Sequence, residues 1–407
     1  MFQLLLIVIY LAFIGLGLPD ALLGAAWPSI YREFSVPVSY MGGVSMIIAA
    51  GTIISSLASD RLTRKFGAGK VTFVSVLLTA AAILGFSLSG GYAALCLWAV
   101  PYGLGAGSVD AALNNYVALH YASRHMSWLH CMWGVGASVG PYVMGWALGG
   151  GHGWSAGYAC IAMIQITLAA VLFFSLPLWK KASGGAEDGR GEKRGRALSL
   201  PQILKIRGAK EILSAFLCYS ALEQTAGLWA GSYLVLCRGL PPEEAARCAA
   251  LFFAGITAGR AAGGFITVKF SDAQMIRIGL AVILSGAAAL LLPLGPASVR
   301  CGLLMLGLGC APVYPAIIHS TPGLFGADRS QAMIGVEMAC AYTGTCLVPP
   351  LFGWAAGHTS MALLPFFLLA VLALTFVLHE KTLAKAAPFS SLFISLKLRN
   401  RRRGRKM

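Results

Sequence analysis

Long apolar segments separated by short polar loops fill most of the chain. Each segment holds roughly 20 or more mostly uncharged residues, which is enough for an α-helix to cross a bilayer. The predicted fold class is therefore an all-α membrane protein with twelve transmembrane helices. The hydrophobic pattern predicts these spans at residues 4–28, 38–59, 70–89, 92–118, 127–149, 155–179, 209–236, 244–268, 274–294, 298–320, 329–357 and 361–379.

One long polar segment interrupts this pattern. Residues 180–207 are rich in Gly, Lys and Arg, and they lie between the sixth and seventh spans. We therefore predict an N-terminal six-helix half at residues 1–179 and a C-terminal six-helix half at residues 208–380, joined by this segment as a linker. A basic tail at residues 381–407 follows the second half.

The two halves repeat one another in sequence. The segment GASVGPYVMGWALG at 136–149 aligns with GTCLVPPLFGWAAG at 344–357, an offset of 208. A parallel repeat of six helices is one of the layouts found in secondary transporters. The other aligned pairs are residues 103–110 with 307–314, Asp20 with Glu223, Pro141 with Pro349 and Trp146 with Trp354.

The distribution of charge predicts the orientation of the spans. Only 11% of the residues are charged, whereas a soluble domain carries about 25%. If the N-terminus is inside, 26 of the 31 Lys and Arg fall in the inner loops and the tail. This bias predicts a multi-pass protein of the inner (plasma) membrane with both termini cytoplasmic. Nucleic acid is not an expected partner, because binding it requires a soluble basic face.

A small set of polar residues lies within the apolar spans. Acids and amides there are costly in lipid, so we expect them to face the protein interior or a water-filled cavity. The four acids expected to couple transport to protons are Asp20, Asp110, Glu223 and Glu337. The candidate substrate-binding residues are Asp110, Asn114, Asn115, His130, Trp133, Gln224, Tyr314 and His319.

Asp20 and Asp110 have different expected roles. Asp20 is predicted to share a helix face with Gly24 and Trp27, and its few polar neighbours suit a group that loads and releases a proton. Asp110 and Asn114 are one helical turn apart, and together they offer acceptors and donors for several hydroxyl groups. The sequence leaves open whether the two acids exchange these roles.

Each candidate also has a purely structural interpretation. Asp20 could instead pair with Arg260 or mark a backbone break at Pro19, and Glu337 could equally pair with Arg260. The two asparagines could form interhelical hydrogen bonds, which are common in membranes. For His130, packing between helices is the favoured interpretation.

The loop after the second span carries a motif. SLASDRLTRK at 56–65 is similar to G-x-x-x-D-R-x-G-R-K, the signature of the major facilitator superfamily, with serine and threonine in place of its two glycines. With the twelve spans and the repeat, the chain resembles this superfamily up to about residue 380. The resemblance implies a monomer that works by alternating access, and it implies cytoplasmic gating by the matching residues Asp60, Arg61, Arg64 and Lys65.

A narrower resemblance is to the fucose-permease-like sugar symporters. It rests on GLPDALLGAAWPSI at 17–30, on Asp110 followed by two asparagines, and on SWLHCMWGVGASVGP at 127–141. This resemblance implies that Asp20 and Asp110 take part in proton coupling and sugar binding.

These observations favour a transporter over an enzyme. The segments GLGAG and GASVG lie in apolar helices, whereas a dinucleotide loop follows a strand. The cysteines show no metal-ligand spacing, so neither a metal nor another cofactor is expected.

We expect a secondary active transporter of a small polar solute, a sugar by resemblance, coupled to protons, with sodium left open. The first alternative is a drug or metabolite exporter of the same fold, which would need a larger and more apolar cavity. The second is a non-transporting sensor or scaffold, for which the linker and tail leave little room.

Overall fold

The computed structural model describes residues 2–37, 40–182, 197–292 and 295–403. Residues 183–196 of the predicted linker and the last four residues of the predicted tail lie outside the described residues. Within the described ranges every regular element is a helix. The helices are α1 (Phe2–Gly17), α2 (Leu22–Glu33), α3 (Tyr40–Phe66), α4 (Ala68–Ser87), α5 (Tyr92–His120), α6 (Ser123–Gly149), α7 (Gly153–Ala182), α8 (Leu200–Ile203), α9 (Ala209–Arg238), α10 (Pro242–Ile266), α11 (Asp272–Leu291), α12 (Pro296–Phe325), α13 (Ala327–His358) and α14 (Leu364–Arg403), with a 3-10 turn at Met361–Leu363.

The predicted all-α membrane fold is confirmed. Each predicted span coincides with one long helix, and most helix ends agree within about seven residues, except that the first span is formed by α1 and α2 together. Helix α14 does not end with the twelfth predicted span but continues to Arg403, through most of the predicted basic tail. Within the described residues, ten of the spans are long and apolar enough to cross a membrane by length and composition alone. The other two, α6 and α9, have 27 and 30 residues, and their polar side chains lower their hydropathy.

The first span is broken in its middle. Helix α1 ends at Gly17 and α2 begins at Leu22, because Pro19 has no N–H to donate and disfavours helical backbone in the residue before it. The turn is closed by backbone hydrogen bonds, including one of 3.2 Å from Asp20 N to Gly17 O. The prediction that Asp20 shares a helix face with residues of α2 was therefore wrong, since Asp20 lies in the turn before that helix.

The two halves repeat in their packing as well as in their sequence. Gly136 of α6 lies so close to α1 that a Cβ atom there would collide with the carbonyl oxygen of Ile14. Gly344 of α13 lies in the same way against the carbonyl oxygen of Leu217 in α9. The glycines differ by 208 and their partners by 203, which are the offsets at which the sequence aligned these helices.

A second pair of glycine contacts is also repeated between the two halves. A Cβ atom on Gly105 of α5 would lie 2.7 Å from the carbonyl oxygen of Ser75 in α4. A Cβ atom on Gly309 of α12 would lie 2.7 Å from the carbonyl oxygen of Gly279 in α11. Both members of the contact are displaced by 204 residues, the offset of the fourth and tenth spans. Small residues allow this close approach of helices in both halves.

The described residues form two compact units whose boundaries depart from the predicted halves at two short segments. Residues 118–123 group with the second unit, and residues 260–266, at the end of α10, group with the first. The first unit comprises Met1–Val117, Arg124–Ala197 and Arg260–Ile266, and the second comprises Ala118–Ser123, Leu198–Gly259 and Thr267–Met407.

Candidate functional site

The carboxylate of Asp20 lies in the break of the first span and is held by two other helices. The hydroxyl of Tyr102 in α5 donates to Asp20 Oδ1 at 2.9 Å, and the indole Nε1 of Trp133 in α6 donates to Oδ2 at 2.7 Å. Asp20 is exposed, while Tyr102 is buried and Trp133 is partly exposed. The turn therefore presents an oriented acid that remains accessible from outside the packed helices.

Tyr102 was not among the predicted site residues. It is separated from Asp20 by 82 positions in the sequence. Tyr102 lies in α5, eight residues before Asp110, and it belongs to none of the sequence motifs on which the predicted site residues were chosen. A contact of this kind depends on how the first and fourth spans pack, which hydropathy does not encode.

The indole of Trp133 also contacts a buried cation, Arg260. The guanidinium carbon of Arg260, in the segment of α10 that groups with the first unit, lies 5.7 Å from the centre of the Trp133 ring. Arg260 is 5% exposed. Cation–π attraction is strengthened when the cation is desolvated in this way. Trp133 thus links a guanidinium at its ring to the carboxylate of Asp20 at its N–H.

Asp110, Asn114 and His130 form a buried chain of hydrogen bonds between α5 and α6. Asn114 Nδ2 donates to Asp110 Oδ1 at 2.7 Å, and Asn114 Oδ1 lies 3.1 Å from His130 Nε2. The ring of Phe13 packs edge-on against His130 with centroids 5.6 Å apart. All three polar residues and the neighbouring Asn115 are buried. This geometry matches the interhelical bonding that was the alternative interpretation of Asn114 and the packing between helices that was the favoured interpretation of His130.

In the second half, Glu223 is held by its own helix. The hydroxyl of Tyr219, one turn earlier in α9, donates to Glu223, and it also lies 2.7 Å from the carbonyl oxygen of Cys310. Glu223 is partly exposed and the adjacent Gln224 is exposed. Tyr314 of α12 is partly exposed as well, so these three candidates keep accessible polar groups.

The structure places Glu337 and His319 in surroundings that the sequence did not indicate. Glu337 is fully buried and accepts hydrogen bonds of 2.9 and 3.0 Å from the hydroxyl of Thr321, a neighbour within the second unit. His319 Nδ1 lies 2.7 Å from Asp272, the first residue of α11, and Nε2 lies 3.2 Å from the carbonyl of Tyr121. His319 therefore lies beside a helix terminus and an interhelical loop.

The predicted gating residues lie at the C-terminal end of α3. Arg64 Nε donates to Asp60 Oδ1 at 2.7 Å across one helical turn, and Asp60 is buried. Arg61 and Lys65 are exposed. The motif thus combines one buried carboxylate with cations at the helix end.

Comparison with known proteins agrees with this architecture. The model of the Major Facilitator Superfamily matches residues 9–318. The solved structure of the E. coli fucose:proton symporter FucP is similar, with a TM-score of 0.75, 15% identity and coverage of 93% of this chain and 98% of that one. The Thermus thermophilus probable nitrate/nitrite antiporter NarK1 is 22% identical over 84% of this chain and 83% of its own length.

A similar yeast protein is matched over a smaller share of its own length. Bypass of stop codon protein 6 of Saccharomyces cerevisiae is 25% identical over 283 residues, which is 64% of this chain but only 56% of the yeast protein. The family model itself spans well over half of the chain. The chain therefore belongs to the Major Facilitator Superfamily and is a multi-pass membrane transporter.

Proposed function

We propose that the protein moves a small polyhydroxylated solute, such as a sugar, together with a proton by alternating access. The observation that carries this proposal is the accessible carboxylate of Asp20, held in a broken transmembrane span by Tyr102 and Trp133. Broken spans place polar groups at the substrate and ion sites of several transporter folds. The fold shared with a fucose:proton symporter supports the same assignment.

In this proposal Asp20 carries the proton and Trp133 contacts the substrate. A carboxylate at membrane depth is expensive when charged and alone, so protonation and hydrogen bonding to substrate are linked there. The partly exposed indole offers a flat apolar surface for the apolar face of a sugar ring. Asp110, Asn114 and His130 bond to one another, and we assign them the role of holding α5 against α6, so that Tyr102 and Trp133 reach Asp20.

The second half contributes Glu223, Gln224 and Tyr314 to this proposal. Glu223 occupies the position that aligns with Asp20, and Gln224 follows it directly. The amide and the phenol supply both donors and acceptors for hydroxyl groups. Asp60 and its neighbouring cations are assigned to control of the inward–outward equilibrium on the cytoplasmic side. We assign the N- and C-termini to the cytoplasmic side of the inner membrane, because Lys and Arg are concentrated in the predicted inner loops and the tail.

Solute binding and transport test this function directly. Purified protein is screened by thermal shift with neutral sugars and polyols, and each hit is measured for uptake into proteoliposomes with and without a pH gradient. We expect a neutral polyol to stabilise the protein and to accumulate only when the gradient is imposed. Accumulation that follows a sodium gradient and ignores pH would contradict proton coupling.

A second candidate function is transport of a small anion. It is favoured by Arg260, a buried guanidinium in a transmembrane helix that contacts the same tryptophan as Asp20 does. The similarity to a probable nitrate/nitrite antiporter supports it. Arginine is well suited to bind planar oxyanions through paired hydrogen bonds. Uptake of nitrate and of small carboxylates in the same vesicles, with an Arg260→Lys variant beside the native protein, separates this function from sugar symport.

A further inference from the structure

A basic pocket lies within the second unit, away from the residues assigned to transport. Its volume is about 340 Å³. It is lined by the end of the predicted linker, the end of α12, the start of α13 and the middle of α14. The lining residues are Gln202, Lys205, Ile206, Arg207, Leu324, Phe325, Arg329, Lys385 and Ala386.

The pocket combines a charged rim with an apolar floor. Lys205, Arg207 and Lys385 are exposed and Arg329 is partly exposed, so their charged groups lie at the opening. Phe325 and Ala386 are buried, and Leu324 and Ile206 are partly buried. Cations above an apolar floor suit a ligand that has an anionic group joined to an apolar body.

The charge of the pocket is only partly compensated by acids of the chain. Lys385 donates to Glu211, and Arg329 Nε lies 3.5 Å from the carboxylate of Asp328. Lys205 and Arg207 supply further positive charge, and none of the residues that line the pocket in the described chain is acidic. The pocket therefore favours an anion.

The backbone at the pocket adds a weaker attraction of the same sign. Helices α9 and α13 begin after Gly208 and Gly326, and neither glycine has a side chain to cap the free N–H groups. Helix N-termini favour anions. Each first turn already carries an acid, Glu211 or Asp328, so the side chains of the rim contribute more than the helix ends do.

The position of the pocket identifies the source of the anion. It lies where the apolar spans Ala297–Phe325 and Met361–Ala386 end and Ala327–His358 begins, which is the level of the lipid headgroups. Basic pockets between transmembrane helices at this level bind the headgroups of anionic lipids. We propose that this pocket binds the phosphate-bearing headgroup of an anionic phospholipid, with Lys205 and Arg207 as its principal contacts.

Binding of short-chain lipids to the purified full-length protein tests this proposal. The probes are dihexanoyl phosphatidylglycerol, dihexanoyl phosphatidylcholine and inorganic phosphate, and the readout is the shift in Tm as each is titrated. We expect saturable stabilisation by phosphatidylglycerol below its micellar concentration, with little effect of phosphatidylcholine. If inorganic phosphate gives the full shift and the lipid adds nothing to it, the ligand is a free anion and the lipid assignment is wrong.

Matched variants show where the lipid binds. The double variant Lys205→Gln with Arg207→Gln removes two charges from the rim, and Lys70→Gln with Lys269→Gln removes two exposed charges elsewhere. We expect the rim variant to bind phosphatidylglycerol roughly 25-fold more weakly, from about a five-fold loss per basic residue. The control variant should bind as the native protein does. The proposal fails if both double variants lose affinity equally or if the rim variant loses none.

A charge-conserving exchange of the two residues distinguishes the loss of charge from a change in local structure. The variant Lys205→Arg with Arg207→Lys keeps two cations at the rim and should bind phosphatidylglycerol within about two-fold of the native protein. If this exchange binds as weakly as the glutamine variant, the loss reflects local structure, and the headgroup assignment is overturned.

Discussion

Asp20 and Glu223 occupy equivalent positions in the two halves, yet they are held in different ways. Asp20 lies in a broken span and receives hydrogen bonds from two other helices, through Tyr102 and Trp133. Glu223 lies inside the unbroken α9 and is bonded by Tyr219 of its own helix. The repeated scaffold has therefore kept its helix packing while its polar chemistry has diverged.

Three aligned positions account for this difference. Pro19, which breaks the first span, aligns with Leu222 in the second half. The two donors to Asp20 align with apolar residues, Leu306 and Ala341, at the offsets of 204 and 208. The acid of the first half therefore lies in a turn and is bonded by two neighbouring helices, whereas the second half lacks both the proline and the two donors at the aligned positions.

Substitution of the glycines at the helix contacts is expected to have the largest effect, and it tests whether the two halves pack in the same way. Gly136→Ala and Gly344→Ala each introduce a Cβ atom that collides with a carbonyl oxygen of a neighbouring helix. Overpacking of this kind costs about 1–3 kcal/mol, and we expect both variants to lose thermal stability to a similar extent. The measurement is Tm in detergent, compared with the native protein.

Two other glycines of the same helices serve as controls. Gly134 of α6 and Gly357 of α13 have no atom near the position of an added Cβ. Gly134→Ala and Gly357→Ala should leave Tm nearly unchanged. If only one of the two packed glycines were sensitive, the equivalence of packing in the halves would be wrong.

Removal of the charge of Asp20 is expected to have the next largest effect. Asp20→Asn should retain substrate counterflow but lose accumulation driven by a pH gradient, since the amide cannot take up the proton. With a gradient of one pH unit, one coupled proton supports about ten-fold accumulation, and this factor should vanish. Asp328→Asn, on an exposed carboxylate, is the control and should accumulate normally.

The same experiment on Glu223 sharpens the contrast between the halves. Glu223→Gln should reduce the rate of transport but keep gradient-driven accumulation, because we assign the coupled proton to Asp20. If Glu223→Gln abolishes accumulation and Asp20→Asn does not, the two acids have the opposite roles.

Trp133 is expected to show an intermediate effect. Trp133→Phe keeps an aromatic surface but removes the N–H that donates to Asp20. A hydrogen bond to a charged group contributes about 1.5–3 kcal/mol, so we expect roughly ten-fold weaker substrate binding by calorimetry. Trp146→Phe, at an exposed tryptophan of the same helix, should bind as the native protein does. Unchanged binding by Trp133→Phe would remove this residue from the site.

Tyr219 is expected to show the smallest effect. Tyr219→Phe removes the donor to Glu223 but leaves that acid in an intact helix and partly exposed to solvent. We expect transport rates to change by less than about three-fold, because water can replace the lost donor at the partly exposed carboxylate of Glu223 and recover most of the energy of the hydrogen bond. A loss as large as the roughly ten-fold effect expected for Trp133→Phe would show that the second half depends on its acid in the same way as the first.

The sequence predicted the helices better than the contacts between them. Span boundaries follow from runs of apolar residues, and the structure places most helix ends within about seven residues of them, whereas α14 continues to Arg403 through a basic segment where hydropathy predicted no span. Asp20 and Trp133 were each predicted as site residues, but their hydrogen bond was not. That bond joins residues 113 positions apart, and it requires the break at Pro19 to turn the carboxylate toward α6.

The buried network shows a second limit of sequence patterns. Asn114 and His130 carry polar groups that suit either a substrate or a neighbouring helix, and spacing along one helix cannot distinguish the two. The structure places them in contact with each other. For His319 the partner is Asp272, which begins α11 and lies between the predicted spans at 244–268 and 274–294.

The low hydropathy of α6 and α9 has a consequence for how the protein enters the membrane. A segment inserts from the translocon according to its summed apolarity, and polar residues near its centre oppose insertion. Helix α6 can offset that cost once its His130 meets Asn114 of α5, the helix made just before it. Helix α9 is the first long helix after the linker, so its nearest preceding span is α7. We expect its stable insertion to wait for synthesis of later helices such as α13 and α14, which pack against it.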